Sequence, residues 1–519
     1  MGAASGVRET TGNVVGQGGR NIGGLAARRR RRTWIGLITG LVVLVAAATV
    51  LAVTVQPWTA EFRHGGLTIA DPPAPVRPFP QVEPAPEDAP APSSSGLAAA
   101  LAPVVANPDL GGFSGSVTDA ATGTVLWSAD ADKPATPSST VKILTSAAAL
   151  LVLAPDHRVR TRVVAGAAPN EIVLVGEGDP TLTAQPDGKG YYPNGPRLSD
   201  LADQVRASGV RADTIVVDTS AYTGPTMAKG WEPIDIPGGS IAPIEPVMLD
   251  GGRLDPLVEY SPRSSTPALD VGRRLAVELG MDPAKVRAGT ARPGAEELAS
   301  VQSAPLRDLL RDLMIHSDNV LAETIGREIA EATGKPASFD GAAAAITATL
   351  AGAGFDIRGV TMHDTSGLST DDRVPARVLD EILAAAAAGG DDDEEKPPLP
   401  RQPRLHPGAG LPSLPADSGN NGDNGDDLSA TLAPILDYLP VAGGTGSLTS
   451  RFVTEHRAGA GWVRAKTGTL SVASTLAGYV LDSDGRVLTF ALMSSDRPPE
   501  VSRPALDTIA ATLRNCGCS

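Results

Sequence analysis

The sequence predicts an α+β protein: an antiparallel sheet flanked by helices and split by a large β-rich insertion. Three observations carry this expectation. Strand-turn-strand patterns stand near both ends of the body, at 113–118 with 124–128 and at 474–481 with 486–493. Helical apolar patterns lie between them, at 140–153, 301–315, 319–332, 375–388 and 428–439, and an amphipathic one follows at 503–514. From 165 to 298 the chain turns to short strand patterns, such as 171–175 and 214–218, with Gly/Pro turns and fewer long helices. Strands at both ends with helices between them suggest one sheet domain, interrupted by 165–298.

The chain has 519 residues, enough for about three domains. Its formal charge is −15, and 59 acidic against 44 basic residues argue against a nucleic-acid partner. Cys516 and Cys518 are too few for a disulfide framework or a Cys-rich zinc site. No histidine precedes a glutamate, so HExxH chemistry is absent, and the GxSxG elbow of an ordinary α/β-hydrolase is missing.

The segment 34–55 carries no charge, and its 22 residues at helical rise span about 33 Å, a bilayer core. Five arginines, Arg28 to Arg32, precede it. The positive-inside rule then predicts a single-pass membrane anchor, with residues 1–32 cytoplasmic and the body extracytoplasmic. A cleaved signal peptide is the rival reading, though its apolar region would be shorter, about 7–15 residues. The first 55 residues hold seven Arg and one Glu, so the remainder carries −21. Such a surface is repelled by anionic lipid and nucleic acid. Residues 56–96 form a linker, rich in Pro and Ala from 71 onward, that reads as an extended spacer. Residues 389–427 are acidic, then Pro-rich, then Asn/Gly/Asp-rich, and read as a disordered insertion.

Three short motifs carry chemistry. Ser139 and Lys142 are spaced i, i+3 at a helix start, so the amine can reach the hydroxyl. A buried lysine sheds its proton more readily and can serve serine as a base. The bland alternative is a helix cap beside a solvated lysine. Lys466, Thr467, Gly468 and Thr469 lie in an apparent strand, where Gly lets a substrate approach and the other three offer a cationic, donor-rich edge. Here the bland reading is an exposed edge-strand lysine. Ser317, Asp318 and Asn319 fall between two helices and offer a hydroxyl and an amide to a cleft, or simply a helix cap. Ser418-Gly419-Asn420 and Tyr192-Pro193-Asn194 look similar but lack that helical setting. Only 8 of the 44 basic residues are lysine, and two of the eight stand in these motifs. Arginine cannot act as a base, which explains lysine at 142 at least.

In this order the motifs match the S-x-x-K, S-D-N and K-T-G set of penicillin-binding proteins and class A β-lactamases. The long gap between the first two resembles the penicillin-binding protein 4 type D-alanyl-D-alanine carboxypeptidase/endopeptidase, peptidase family S13. Residues 176–182, 364–369 (Asp364-Thr365-Ser366-Gly367-Leu368-Ser369) and 439–443 match that family too. The resemblance covers about 95–515. It implies a penicillin-binding/β-lactamase-like transpeptidase fold, with a catalytic domain built from 97–164 and 299–519. It implies Ser139 as acylated nucleophile, Lys142 as its base and Ser317 as proton relay. Asn319 would bind the peptide amide, and Lys466, Thr467 and Thr469 would hold the terminal carboxylate and shape the pocket, with Gly468 also among the substrate-binding residues. Backbone N–H groups of Ser139 and Thr469 would form the oxyanion hole. Peptidoglycan stem peptides would be the substrates and β-lactam antibiotics covalent inhibitors, with no metal or cofactor. The alternatives are a β-lactamase or esterase of the same fold, or an inactive cell-wall-binding scaffold.

Overall fold

The computed structural model describes residues 23–55, 89–388 and 424–517, with the side chains of 39–55, 89–388 and 428–517. Helix α1 (Gly23–Val55) belongs to a first unit that ends at Glu83. It contains the expected anchor, and Leu41, Val42, Leu44 and Leu51 on it are exposed. Among the described residues, which for the side chains of α1 begin at 39, no helix is long and apolar enough to cross a membrane. Most of the expected linker and of the acidic insertion, 56–88 and 389–423, lies outside the described residues.

The second unit runs from Pro84 onward. It opens with α2 (Ser94–Val105), capped by Ser93, whose hydroxyl accepts a hydrogen bond from Gly96 N at 3.1 Å. The linker therefore ends before residue 96. β1 (Gly112–Asp119) and β2 (Thr124–Ala129) form the first expected hairpin, and β3 (Pro134–Ala135) leads to a 3-10 turn, Ser138–Thr140. α3 (Val141–Val152) follows and is buried from Val141 through Ala149.

The insertion comprises β4 (Arg160–Ala165), β5 (Glu171–Gly176), β6 (Asp179–Leu182), α4 (Leu198–Ala207), β7 (Thr214–Asp218), β8 (Val247–Leu249), α5 (Pro267–Glu278), β9 (Val286–Gly289) and β10 (Glu297–Gln302). Its sheet has the order β10-β4-β5-β7-β9, antiparallel at first and parallel through β5, β7 and β9. The insertion is thus mixed rather than predominantly β: α4 and α5 bury Leu198, Leu201, Val205, Val271 and Leu275 against the sheet. Its outer strands also pass the expected limits of 165 and 298, because β4 and β10 pair with each other, Thr161 opposite Val301.

Three helices and one short strand return the chain to the main domain: α6 (Leu306–His316), α7 (Asn319–Ala332), α8 (Phe339–Gly352) and β11 (Val374–Pro375). The helix expected from 301 begins instead at Leu306. Pro305 disfavours helical backbone at Ala304, so 301–302 stay in β10. Next come α9 (Ala376–Ala387), α10 (Asn424–Leu432) and α11 (Pro434–Tyr438). The last two were expected as one helix over 428–439; Pro434 lacks the N–H that would continue it. β12 (Arg464–Leu470), β13 (Ala473–Leu481) and β14 (Val487–Ser495) precede α12 (Pro499–Asn515), which starts one turn before the expected 503 and carries Pro504 inside it.

The main sheet, β12-β13-β14-β1-β2, is antiparallel throughout and joins the two ends of the unit. Alternation of side chains sends Leu476, Val480, Leu488 and Phe490 into a core with α2 and α12. Ala477, Ala491 and Met493 face the other way, into a core with α3, α6, α7, α8 and α9. The sheet is therefore covered on both faces, and its β12 edge meets the turn before α3.

Candidate active site

Ser139 lies half-buried in the turn Ser138–Thr140, at the foot of α3. Two hydroxyls hold this turn through one carbonyl: Pro137 O accepts from Thr140 Oγ1 at 2.6 Å and from Thr475 Oγ1 at 2.8 Å. On the other side Gly367, at φ +79°, packs so closely that a Cβ there would stand 1.9 Å from Ser138 O. Only glycine fits that approach.

One turn along α3, Lys142 is fully buried, and its Nζ donates to Ser139 Oγ at 3.0 Å, Asn319 Oδ1 at 2.7 Å and Ser366 O at 2.6 Å. Burial pushes its ammonium down to about 8, against the opposing pull of Asp364, Asp318 and Glu323. The lysine is thus poised to lose its proton, which a solvated lysine would not be.

Ser317 closes α6 with left-handed backbone, φ 57°, and accepts from Lys466 Nζ at 2.8 Å. Asp318 caps α7 through Leu321 N at 2.9 Å, so the helix-cap reading of this triplet holds for Asp318. Asn319 begins α7; its Nδ2 donates to Ser240 O at 3.0 Å while its Oδ1 faces Lys142. Lys466 on β12 is buried rather than exposed, with Thr467 O as its other acceptor at 2.9 Å. Burial first, and Lys142 second, push its ammonium well below the usual range. Thr467 Oγ1 donates to Ser447 Oγ at 2.7 Å, and Thr469 Oγ1 accepts from Arg503 Nε at 3.2 Å. Gly468 has no room for a side chain: a Cβ would meet Thr475 Oγ1 at 2.1 Å and Pro137 O at 2.7 Å.

All three motifs therefore converge along one edge of the sheet. Their hydroxyls, amines and amide touch in a chain from Asn319 through Lys142 to Ser139, and from Lys466 to Ser317.

The supporting groups were not identifiable as such from the chain. Asp364 organises the 364–369 loop, accepting from Ser366 N, Gly367 N, Ser369 N and Trp231 Nε1 at 3.1, 2.6, 2.7 and 2.7 Å. That loop presents the carbonyl that Lys142 uses. Glu323, buried beneath it, accepts from Thr365 N at 3.0 Å and is pushed up to about 7 by burial and by Asp364. The loop text was visible in the sequence as a stretch matching a family, but without roles. Tyr192, set aside there as belonging to a decoy, is buried and donates its hydroxyl to Asp318 at 3.0 Å.

A serine hydroxyl beside a buried, neutralisable amine, on a sheet covered by helices on both faces, is the arrangement of the penicillin-binding, β-lactamase-like serine enzymes. The model of the D-Ala-D-Ala carboxypeptidase 3 (S13) family matches residues 97–263, 257–397 and 427–516. The chain is 45% identical over 502 residues to a protein named carboxypeptidase DacB from Mycolicibacterium smegmatis, covering 95% of this chain and 99% of that one. It is 44% identical to a carboxypeptidase from Mycobacterium tuberculosis, with the same coverage. Among solved structures, penicillin binding protein 4 (DacB) of Haemophilus influenzae superposes with a TM-score of 0.60 at 17% identity, over 82% of this chain and 99% of that one, and so shares the fold. This chain belongs to the D-Ala-D-Ala carboxypeptidase 3 (S13) family.

Proposed function

We propose that this chain is a serine-type D-Ala-D-Ala carboxypeptidase acting on peptidoglycan stem peptides through an acyl-enzyme on Ser139. The observation that carries the reading is the 3.0 Å contact of buried Lys142 Nζ with Ser139 Oγ. The names of the S13 relatives support the activity. Ser139 Oγ attacks the carbonyl between the two D-alanines, and Lys142 takes its proton. Ser317 Oγ, held by Lys466, passes a proton to the leaving D-alanine nitrogen. Backbone N–H groups of Ser139 and Thr469 stabilise the oxyanion, usually a large share of catalysis. Lys466, Thr467 and Thr469 hold the terminal carboxylate, and Asn319 the peptide amide. Water then releases the peptide from Ser139.

β-Lactams, whose ring amide mimics the scissile bond, acylate the same serine. A solved relative of the same fold carries a bound β-lactam. The exposed apolar side chains of α1 and the preceding arginines support single-pass anchoring with the body extracytoplasmic. Fractionation of cells should place the full chain in the membrane, and a truncation at residue 88 should release it.

Intact-mass analysis after incubation with penicillin should give one adduct, mapped to Ser139, together with D-alanine release from a pentapeptide. A Ser139→Ala variant that still labels would overturn the assignment. Lys142→Arg should fold but acylate orders of magnitude more slowly, since arginine keeps the charge and cannot take the proton. Acylation within a few-fold of wild type would remove Lys142 as the base.

A further inference from the structure

The Ser317-Asp318-Asn319 turn does not hold itself. Ser317 occupies left-handed backbone, a conformation disfavoured for a residue that carries a Cβ. Ser317 and Asn319, whose side chains meet Lys466 and Lys142, flank Asp318, whose carboxylate takes other partners. Asp318 Oδ2 is enclosed by the inserted domain: Arg253 Nη2 donates to it at 3.0 Å and Tyr192 OH at 3.0 Å, and both members of the ion pair are 2% exposed.

Arg253 is itself held on every side. Its Nη1 donates to Asp250 O at 3.0 Å and Tyr192 OH at 3.3 Å, its Nε to Glu259 O at 3.3 Å, and its guanidinium stacks 3.3 Å above the Tyr191 ring. A second buried arginine, Arg263, donates to Gly251 O at 2.6 Å and to Gly239 O at 3.1 Å. Ser240, the neighbour of Gly239, supplies the carbonyl that takes Asn319 Nδ2. Burial opposes the charge on Asp318, yet Arg253 and Arg263 outweigh it and hold the carboxyl at about 2.

We propose that Arg253, contributed by the inserted domain, is a positioning residue of the catalytic centre: through Asp318 it sets the Ser317 hydroxyl and the Asn319 amide at their distances from Lys466 and Lys142. The proposal rests on the roles given above to Ser317 and Asn319. It assigns the insertion a part in assembling the reacting groups. Removing the guanidinium leaves a buried carboxylate with one donor fewer, and the turn relaxes toward a backbone that serine prefers. A shift of about 1 Å in reacting groups costs on the order of 100-fold in rate.

The test is a double-mutant cycle on the full chain, read by the kinetics of acylation with a fluorescent penicillin. Arg253→Met should lower the acylation rate constant by about 100-fold and change the non-covalent dissociation constant by less than about threefold. In an Asn319→Ala, Ser317→Ala background the same substitution should cost less than about threefold, because the groups it positions are gone. Equal losses in both backgrounds would show a general structural role and overturn the proposal, as would wild-type acylation by Arg253→Met.

If Arg253→Met does not fold, the charge-neutral pair Arg253→Met, Asp318→Asn and the milder Tyr192→Phe carry the same cycle, judged by the same two outcomes. Ser139→Ala serves as the control. Labelling that survives it refutes the nucleophile assignment, whereas labelling that depends on Ser139 but not on Arg253 refutes only the positioning role.

Discussion

Lys142 makes the sharpest residue-scale statement, because the amine must be neutral to take a proton from Ser139. With burial holding it at about 8, roughly one-tenth is in the base form at pH 7. The acylation rate should therefore climb with pH, by about tenfold per unit well below that value, and level off above it. Stopped-flow acylation between pH 6 and 9.5 reads this directly, and a flat profile would exclude a lysine base. Gly468 makes the second. A Cβ at that position would also press on Ser138 Cβ at 2.8 Å. Gly468→Ala should push β12 away from the Ser139 turn and slow acylation by at least about tenfold. The circular dichroism should remain that of the folded protein.

At the scale of elements, one buried carboxylate ties the helical layer to the sheet. Asp380 on α9 accepts from Ser116 Oγ at 2.6 Å, Thr118 Oγ1 at 2.7 Å and Thr489 Oγ1 at 2.7 Å, hydroxyls that project from β1 and β14. Burial pushes its carboxyl up, and the three hydroxyls pull it back. Asp380→Ala would leave all three hydroxyls without their acceptor. We expect a loss of about 3 kcal/mol or more in chemical denaturation, with Asp380→Asn losing less. The β12–β13 pairing should be less affected, since neither strand supplies a hydroxyl to Asp380.

At the scale of the whole molecule, the two ends around 389–423 are already brought together by the fold. Ser429 Oγ donates to Ala388 O, and Leu432 is buried in the same core as Leu379, Ile382 and Leu383 of α9. Loop-closure cost grows only slowly with length, so removing 391–422 and bridging with a few Gly and Ser should cost little. Thermal melting within about 3 °C of the full chain, with unchanged penicillin acylation, is the expected result. A fall of about 10 °C or more would mean that this stretch contributes packing of its own.

The sequence by itself determined the hairpins at 113–128 and 474–493, the buried helix after Ser139, and the identity of the eight candidate site residues. The hairpins and the helix depend on local periodicity and turn chemistry, which are written in neighbouring positions, whereas the candidate site residues were singled out by the resemblance of three short motifs to a known family. Element boundaries near Pro305 and Pro434 were misread because prolines that start a helix and prolines that stop one look alike until the flanking backbone is known. The mixed character of the insertion was also missed, although Leu198, Leu201, Ala202 and Val205 carry a helical spacing. What only the tertiary structure decided is the surroundings of the candidate site: that Lys142 and Lys466 are buried, that Glu323 and Asp364 support the 364–369 loop, and that Arg253 reaches Asp318. Each depends on burial and on partners between 42 and 224 residues away, where desolvation and Coulomb terms are set by the packed fold and leave no local pattern in the chain.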